Sequence, residues 1–133
     1  MTTIYLAGKM TGLTQEEMSL WRDIAVDYLK RHGCKTLNPV ATELGHSSIT
    51  RQIVNSNKYQ IRHSDVILAE LDHNDVSLGT VGEIIFANCM GRPVIAWGKA
   101  EKVLKHPWVW EHITAAFGTL DGALVYIVQN YRK

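Results

Sequence analysis

Val66-Ile67-Leu68-Ala69-Glu70-Leu71, a short acidic turn, Ser77-Leu78-Gly79-Thr80-Val81-Gly82-Glu83 and then Ile84-Ile85-Phe86-Ala87 form the stretch that decides the fold. The first run is almost wholly apolar, the pattern of a strand buried on both faces of a parallel sheet. Glycines 79 and 82 then mark a loop, and the apolar residues after Glu83 begin a helix. A strand, a glycine-containing loop and a helix start are where an α/β protein usually places its ligand. Small residues let backbone N–H groups approach an anion, and the helix N-terminus adds a favourable partial charge. Glu83 is expected in the first turn of that helix, facing the same crevice. Thr80 and Glu83 also have the spacing of a capping box, so residue pattern alone leaves both a capping and a chemical role open.

Outward from this stretch the same alternation repeats. Thr3–Ala7 is a short apolar run followed by Gly8-Lys9-Met10-Thr11-Gly12, a buried first strand ending in a second candidate ligand loop. That loop is either a plain turn or, with Lys9, a phosphate-seeking one. Thr14 and Glu17 form a capping box, and Trp21, Ile24, Ala25, Tyr28 and Leu29 make one apolar helical stripe. Residues 34–37 form a second strand stopped by Asn38-Pro39. Residues 40–48 are polar and read as a loop able to fold over a pocket, and a helix is expected over 49–63.

On that helix Ile53, Val54, Asn57 and Ile61 share a face. Asn57 is therefore either hydrogen-bonded in the core or directed into a cavity. The third strand covers 65–71, the helix after Glu83 runs to Gly91, and 93–97 supply a fourth strand. A short helix near 108–112, a strand at 113–117 and a last helix carrying Leu120, Ala123, Leu124, Ile127, Val128 and Tyr131 complete the chain. These elements predict a single domain over 1–133. The expected fold is a three-layer α/β/α sandwich, Rossmann/flavodoxin-like, around a doubly wound parallel sheet of five strands. Right-handed crossovers bring the loops 5–12 and 77–83 together along one crevice.

Composition narrows the partners. The net charge of +1 gives no broad field for a nucleic-acid polymer or an acidic membrane, so an anionic ligand must be recognised locally. Cys34 and Cys89 have no paired spacing, and no basic segment leads into a signal-like apolar run, so a cytoplasmic location with reduced thiols is expected. No apolar stretch has the length needed to span a bilayer. The six histidines form no metal-ligand pair, and neither a metal nor another cofactor is expected. Asp72 and Asp75 lack further acidic neighbours, so their turn reads as solvated rather than cation-binding.

Ile4-Tyr5-Leu6-Ala7-Gly8, Asn38-Pro39, Ser64-Asp65, Ser77-Leu78-Gly79-Thr80 with Glu83 and Ala87, and Gly91-Arg92-Pro93-Val94-Ile95 occur in consistent order. Together they resemble the nucleoside 2-deoxyribosyltransferase family, over about residues 3–97. The resemblance implies that Glu83 attacks the anomeric carbon of a nucleoside or nucleotide and that Tyr5 orients it. The covalent glycosyl-enzyme is then resolved by another base or by water. It also implies a role for the residue six before the nucleophile. Members acting on free nucleosides carry an aspartate there; the nucleotide hydrolases carry a serine, as Ser77 is here. A hydroxyl beside backbone amides suits a phosphate that an aspartate would repel. The implied substrate is a nucleoside 5′-monophosphate, held by Gly8, Lys9, Ser77, Gly79 and Thr80 and cleaved by hydrolysis.

One departure is Asn57, which stands where the family places an aspartate that protonates or hydrogen-bonds the departing base; an amide can hydrogen-bond a base but supplies no proton. Asp72 and Asp75 are candidate substitutes. Base exchange is the nearest alternative activity. A nucleotide-binding module without turnover is the alternative from another class. By resemblance a homodimer or larger homo-oligomer with shared active sites is expected; residues 106–112 are candidates for crossing the interface, with plain packing of Trp108 and Trp110 the favoured alternative.

Overall fold

The computed structural model describes residues 1–41, 50–75 and 77–133. Strands β1 (Thr3–Ala7), β2 (Lys35–Leu37), β3 (Val66–Glu70), β4 (Val94–Trp97) and β5 (Ala115–Phe117) form one all-parallel sheet in the order β2-β1-β3-β4-β5. The helices are α1 (Gln15–Arg31), α2 (Thr50–Arg62), α3 (Leu78–Cys89), α4 (Glu101–Leu104), α5 (Pro107–Trp110) and α6 (Leu120–Tyr131). None is long and apolar enough to cross a membrane.

Every residue of β3 is buried because β1 and β4 bond it on both sides and helices cover both faces. Side chains alternate across the sheet. Ile4, Leu6, Val66, Leu68 and Ile95 meet Trp21, Ala25 and Leu29 of α1 and Leu120, Ala123, Leu124 and Ile127 of α6. Tyr5, Ala7, Ile67, Ala69, Val94 and Ala96 face the other way, onto Ile61 of α2 and Ile84 and Ala87 of α3, with Val103 and Val109 alongside. The strand order reverses between β1 and β3, so their following loops diverge and leave a crevice at the strand ends.

Several expectations are corrected. Ile24 is 48% exposed, whereas Arg22, outside the apolar stripe, is fully buried. Both terminal nitrogens of its guanidinium donate to main-chain carbonyls, although Nε has no acceptor, and this lets a charged residue take the flank nearest the first loop. Helix α3 starts at Leu78 rather than after Gly82, because Ser77 is the N-cap and its Oγ accepts from the Thr80 amide at 3.3 Å. Glycines 79 and 82 thus lie inside the helix, and Glu83 lies in its second turn. The Thr80–Glu83 capping box is not made, which leaves the carboxylate available elsewhere. The short helix α4 falls where no apolar period marks it. The fifth strand begins only at Ala115; Thr114 is tied to Val94 through both its amide and its hydroxyl. The polar loop read at 40–48 begins with a 3-10 turn over Pro39–Ala41 and from residue 42 on lies outside the described residues.

Candidate active site

Tyr5 is the central residue of β1, fully buried on the α2/α3 side, and its hydroxyl donates to Oε2 of Glu83 at 2.5 Å. Burial and the adjacent carboxylate push the phenol far above its ordinary range, so Tyr5 is a permanent donor. Asn57, reaching from α2, also hydrogen-bonds to Glu83. Burial raises the Glu83 carboxyl from 4.5 to about 7, against the lowering by the Tyr5 hydrogen bond, the Arg22 charge and the Asn57 hydrogen bond. A carboxylate poised near neutrality, held by two side-chain partners and facing open space, has the properties of a nucleophile or an acid–base group.

That space is a cavity of about 690 Å³. Residues 8–12 of the first loop line one side; Asp75, residues 77–80 and Glu83 line another; Ile53, Val54 and Asn57 of α2 supply the third. The loops after β1 and β3 therefore meet as the topology requires. Gly8, Lys9, Ser77, Gly79, Thr80, Asn57 and Glu83 all reach the cavity, with Tyr5 behind Glu83. By helix geometry the amides of Leu78 and Gly79 have no partner within α3, and both residues line the cavity. Added Cβ atoms at Gly79 or Gly82 would meet no protein atom within 4 Å. A second recess of about 260 Å³, not anticipated from sequence, adjoins Asn57 and Glu83 and ends at Phe86, whose ring Lys58 and Arg62 flank.

Of the two candidate substitute acids, only Asp75 reaches the cavity. Asp72 is exposed, lies outside the cavity lining and uses its carboxylate to accept the Lys99 amide at 2.9 Å. Asp75 lines the cavity but pairs with Lys9, which holds its carboxyl below the ordinary range and so keeps it ionised. The same pair neutralises part of the Lys9 charge. Among the described residues no three His, Cys, Asp or Glu side chains converge on a metal position. Arg22 was missed by sequence reading because its acceptors, the carbonyls of Met18 and Gly8, are backbone atoms that no side-chain pattern reveals.

The sequence pattern of nucleoside 2-deoxyribosyltransferases matches residues 4–124. The chain belongs to the nucleoside 2-deoxyribosyltransferase family. Similar solved structures agree in fold with this family member. The 2-deoxyribosyltransferase of Leishmania mexicana is 20% identical, with a TM-score of 0.76 over 98% of this chain and 99% of that one. The 2-deoxyribosyltransferase of the psychrotolerant bacterium Bacillus psychrosaccharolyticus is 18% identical, with a TM-score of 0.74 over 98% and 92%. A CMP N-glycosidase from Clostridium botulinum is 16% identical, with a TM-score of 0.66 over 95% and 98%. No curated protein matches the chain in sequence. Transferases and a nucleotide N-glycosidase thus share this fold, and the branch of the family has to be argued from the site.

Proposed function

We propose that the chain hydrolyses the N-glycosidic bond of a nucleoside 5′-monophosphate, with Glu83 as nucleophile. The observation that carries this is the contact between the buried Tyr5 hydroxyl and Glu83, at the wall of a cavity that a helix N-terminus also reaches. Glu83 Oε attacks the anomeric carbon, the bond to the base breaks, and the electron pair leaves with the base. The departing base takes its proton from water entering the open cavity, since Asn57 has none to give and Asp75 is held ionised. A second water, giving its proton to the hydroxide left by the first, then attacks the anomeric carbon and displaces Glu83 as its carboxylate, giving a sugar 5-phosphate. Tyr5 and Asn57 hold the carboxylate in line and stabilise its ionised form.

The preference for a phosphate rests on the polar wall opposite. Ser77, Leu78, Gly79 and Lys9 all line the cavity, Ser77 Oγ is held by the Thr80 amide and hydroxyl at the helix start, and no carboxylate occupies position 77. A phosphate bound there gains helix-terminus and hydroxyl donors, and it competes with Asp75 for Lys9. Hydrolysis rather than base exchange follows from the same assignment by resemblance. One observation favours the non-catalytic reading: no lining acid other than Glu83 is free of an ion pair among the described residues.

Base release from ribo- and deoxyribonucleoside 5′-monophosphates and their dephosphorylated forms, with Glu83→Ala as control, separates these readings. Phosphate-dependent release lost in Glu83→Ala is expected. A new nucleoside formed when a second base is added would favour exchange. Tight binding without release, indifferent to Glu83→Ala, would favour the binding module.

A further inference from the structure

Arg22 is fully buried on the α1 face that otherwise carries Trp21, Ala25 and Leu29. A guanidinium is costly there unless it is hydrogen-bonded and its charge is balanced. Nη1 donates to the Met18 carbonyl at 2.9 Å and Nη2 to the Gly8 carbonyl at 3.1 Å, and the group lies 4.8 Å from the Trp21 ring centroid. Neither carbonyl carries a full charge. With Tyr5 neutral, the groups whose negative charge favours the guanidinium are Glu70 and Glu83, so its field reaches the site from beneath the first loop. Gly8 is fitted to this layer. A Cβ there would stand 2.8 Å from Trp21 Cζ2 and 3.3 Å from Arg22 Nη2, so the loop main chain rests directly on the arginine and its neighbour.

We propose that Arg22 is a positioning residue for the chemistry at Glu83: it pins the first cavity loop through the Gly8 carbonyl and supplies the countercharge to the buried Glu83 carboxylate. The catalytic half of this presupposes Glu83 as nucleophile; the electrostatic half stands without it. Charged and titratable groups face Glu83 from each neighbouring element. Tyr5 of β1 donates to it and Arg22 of α1 attracts it. Lys58 of α2 lies in the adjoining recess, turned onto Phe86, while Lys9 and Asp75 at the cavity wall are paired to each other. Glu70, nearly fully buried, competes for the same guanidinium, and His73 stands 3.4 Å from its Oε1. Among the described residues Arg22 is the one permanent cation acting on the Glu83 carboxyl.

The test titrates the Glu83 carboxyl directly in the full chain labelled with ¹³C at glutamate Cδ, its resonance assigned by Glu83→Gln. Arg22→Gln keeps donors and removes the charge; Arg22→Lys keeps the charge and removes the fork. Arg22→Gln is expected to raise the Glu83 midpoint by about one pH unit, the low end of the effect of a nearby opposite charge. Arg22→Lys is expected to leave it near the wild-type value. In turnover, Arg22→Gln then loses about fivefold in base release at pH 7 and recovers at pH 9, which a merely structural defect would not do. An unchanged Glu83 midpoint in folded Arg22→Gln would overturn the proposal, as would loss of the fold in both variants, which would assign Arg22 to the core. Absence of base release in the wild type would refute the proposed hydrolase while leaving the NMR titration to decide the electrostatics.

Discussion

Tyr5→Phe removes one hydroxyl and leaves the ring, so a fully buried core residue keeps its packing while Glu83 loses its 2.5 Å donor. A hydrogen bond to a charged group is worth about 1.5–3 kcal/mol. Because this one favours the ionised carboxylate, its loss raises the Glu83 midpoint from about 7. At 1.36 kcal/mol per unit, the shift is about one to two units. The acid limb of kcat/KM for base release, which reports the free enzyme's essential base, therefore moves to higher pH. At pH 7 the rate falls about five- to fiftyfold, and the deficit narrows toward pH 9 as Glu83 ionises without help. The second ionisation of a substrate phosphate, near pH 6, is common to both enzymes and cancels in their ratio. An acid limb unmoved in folded Tyr5→Phe, or a rate ratio constant across pH, would refute the assignment of Tyr5 as the residue that keeps Glu83 ionised.

Stability should carry the same signature. The Glu83 midpoint is raised above its unfolded value of 4.5, so the stabilising contribution is complete below 4.5 and is lost as pH rises through about 7. Glu83→Gln mimics the protonated form, and denaturant unfolding should find it more stable than wild type at pH 8 by up to about 3 kcal/mol, with the two converging near pH 5. Equal stability at both pH values would contradict the burial of a charged carboxylate. Gly79→Ala places its Cβ where no protein atom lies within 4 Å, on a helical residue lining the cavity. Its Tm should hold or rise, by up to about 1 kcal/mol of helix preference, while KM for the nucleotide increases. An unchanged KM would remove Gly79 from the phosphate wall. Gly98 has φ +131°, and a Cβ there would lie 2.3 Å from the Leu71 carbonyl carbon and oxygen. Gly98→Ala should cost at least ~3 kcal/mol, read as a large fall in the denaturant midpoint; a neutral effect would mean that the chain after β4 relaxes freely.

The sheet was legible because a strand buried on both faces has little choice of residue, so residues 66–71 announce β3 even with Glu70 inside. Helix α1 was legible at its start, where Thr14 and Glu17 make both capping bonds, at 3.1 and 3.0 Å. The start of α3 was not, because Ser77 and Thr80 compete as caps three residues apart. Ser77 prevails by engaging both the amide and the hydroxyl of Thr80, which moves Glu83 one turn deeper into the helix. The pairing of Tyr5 with Glu83 was implied by resemblance and could not be derived from spacing, since 78 residues separate the two. Asn57 stood out as polar on an apolar stripe, and its two open alternatives resolve together: it lines the cavity and bonds to Glu83. Arg22 and Glu70 stayed hidden for a related reason. A buried charge is tolerated through partners distant in sequence, and local periodicity reports only which faces are apolar.

The most direct test of the central claim is covalent capture. The protein would be mixed with a cleavable nucleoside 5′-monophosphate carrying fluorine at the sugar 2′ position, which slows resolution of a glycosyl ester, then quenched and mapped by peptide mass spectrometry. A sugar-phosphate adduct on the peptide containing Glu83, absent in Glu83→Gln, is the predicted result. Release of the base with no adduct on Glu83, at a rate that survives Glu83→Gln, would contradict it.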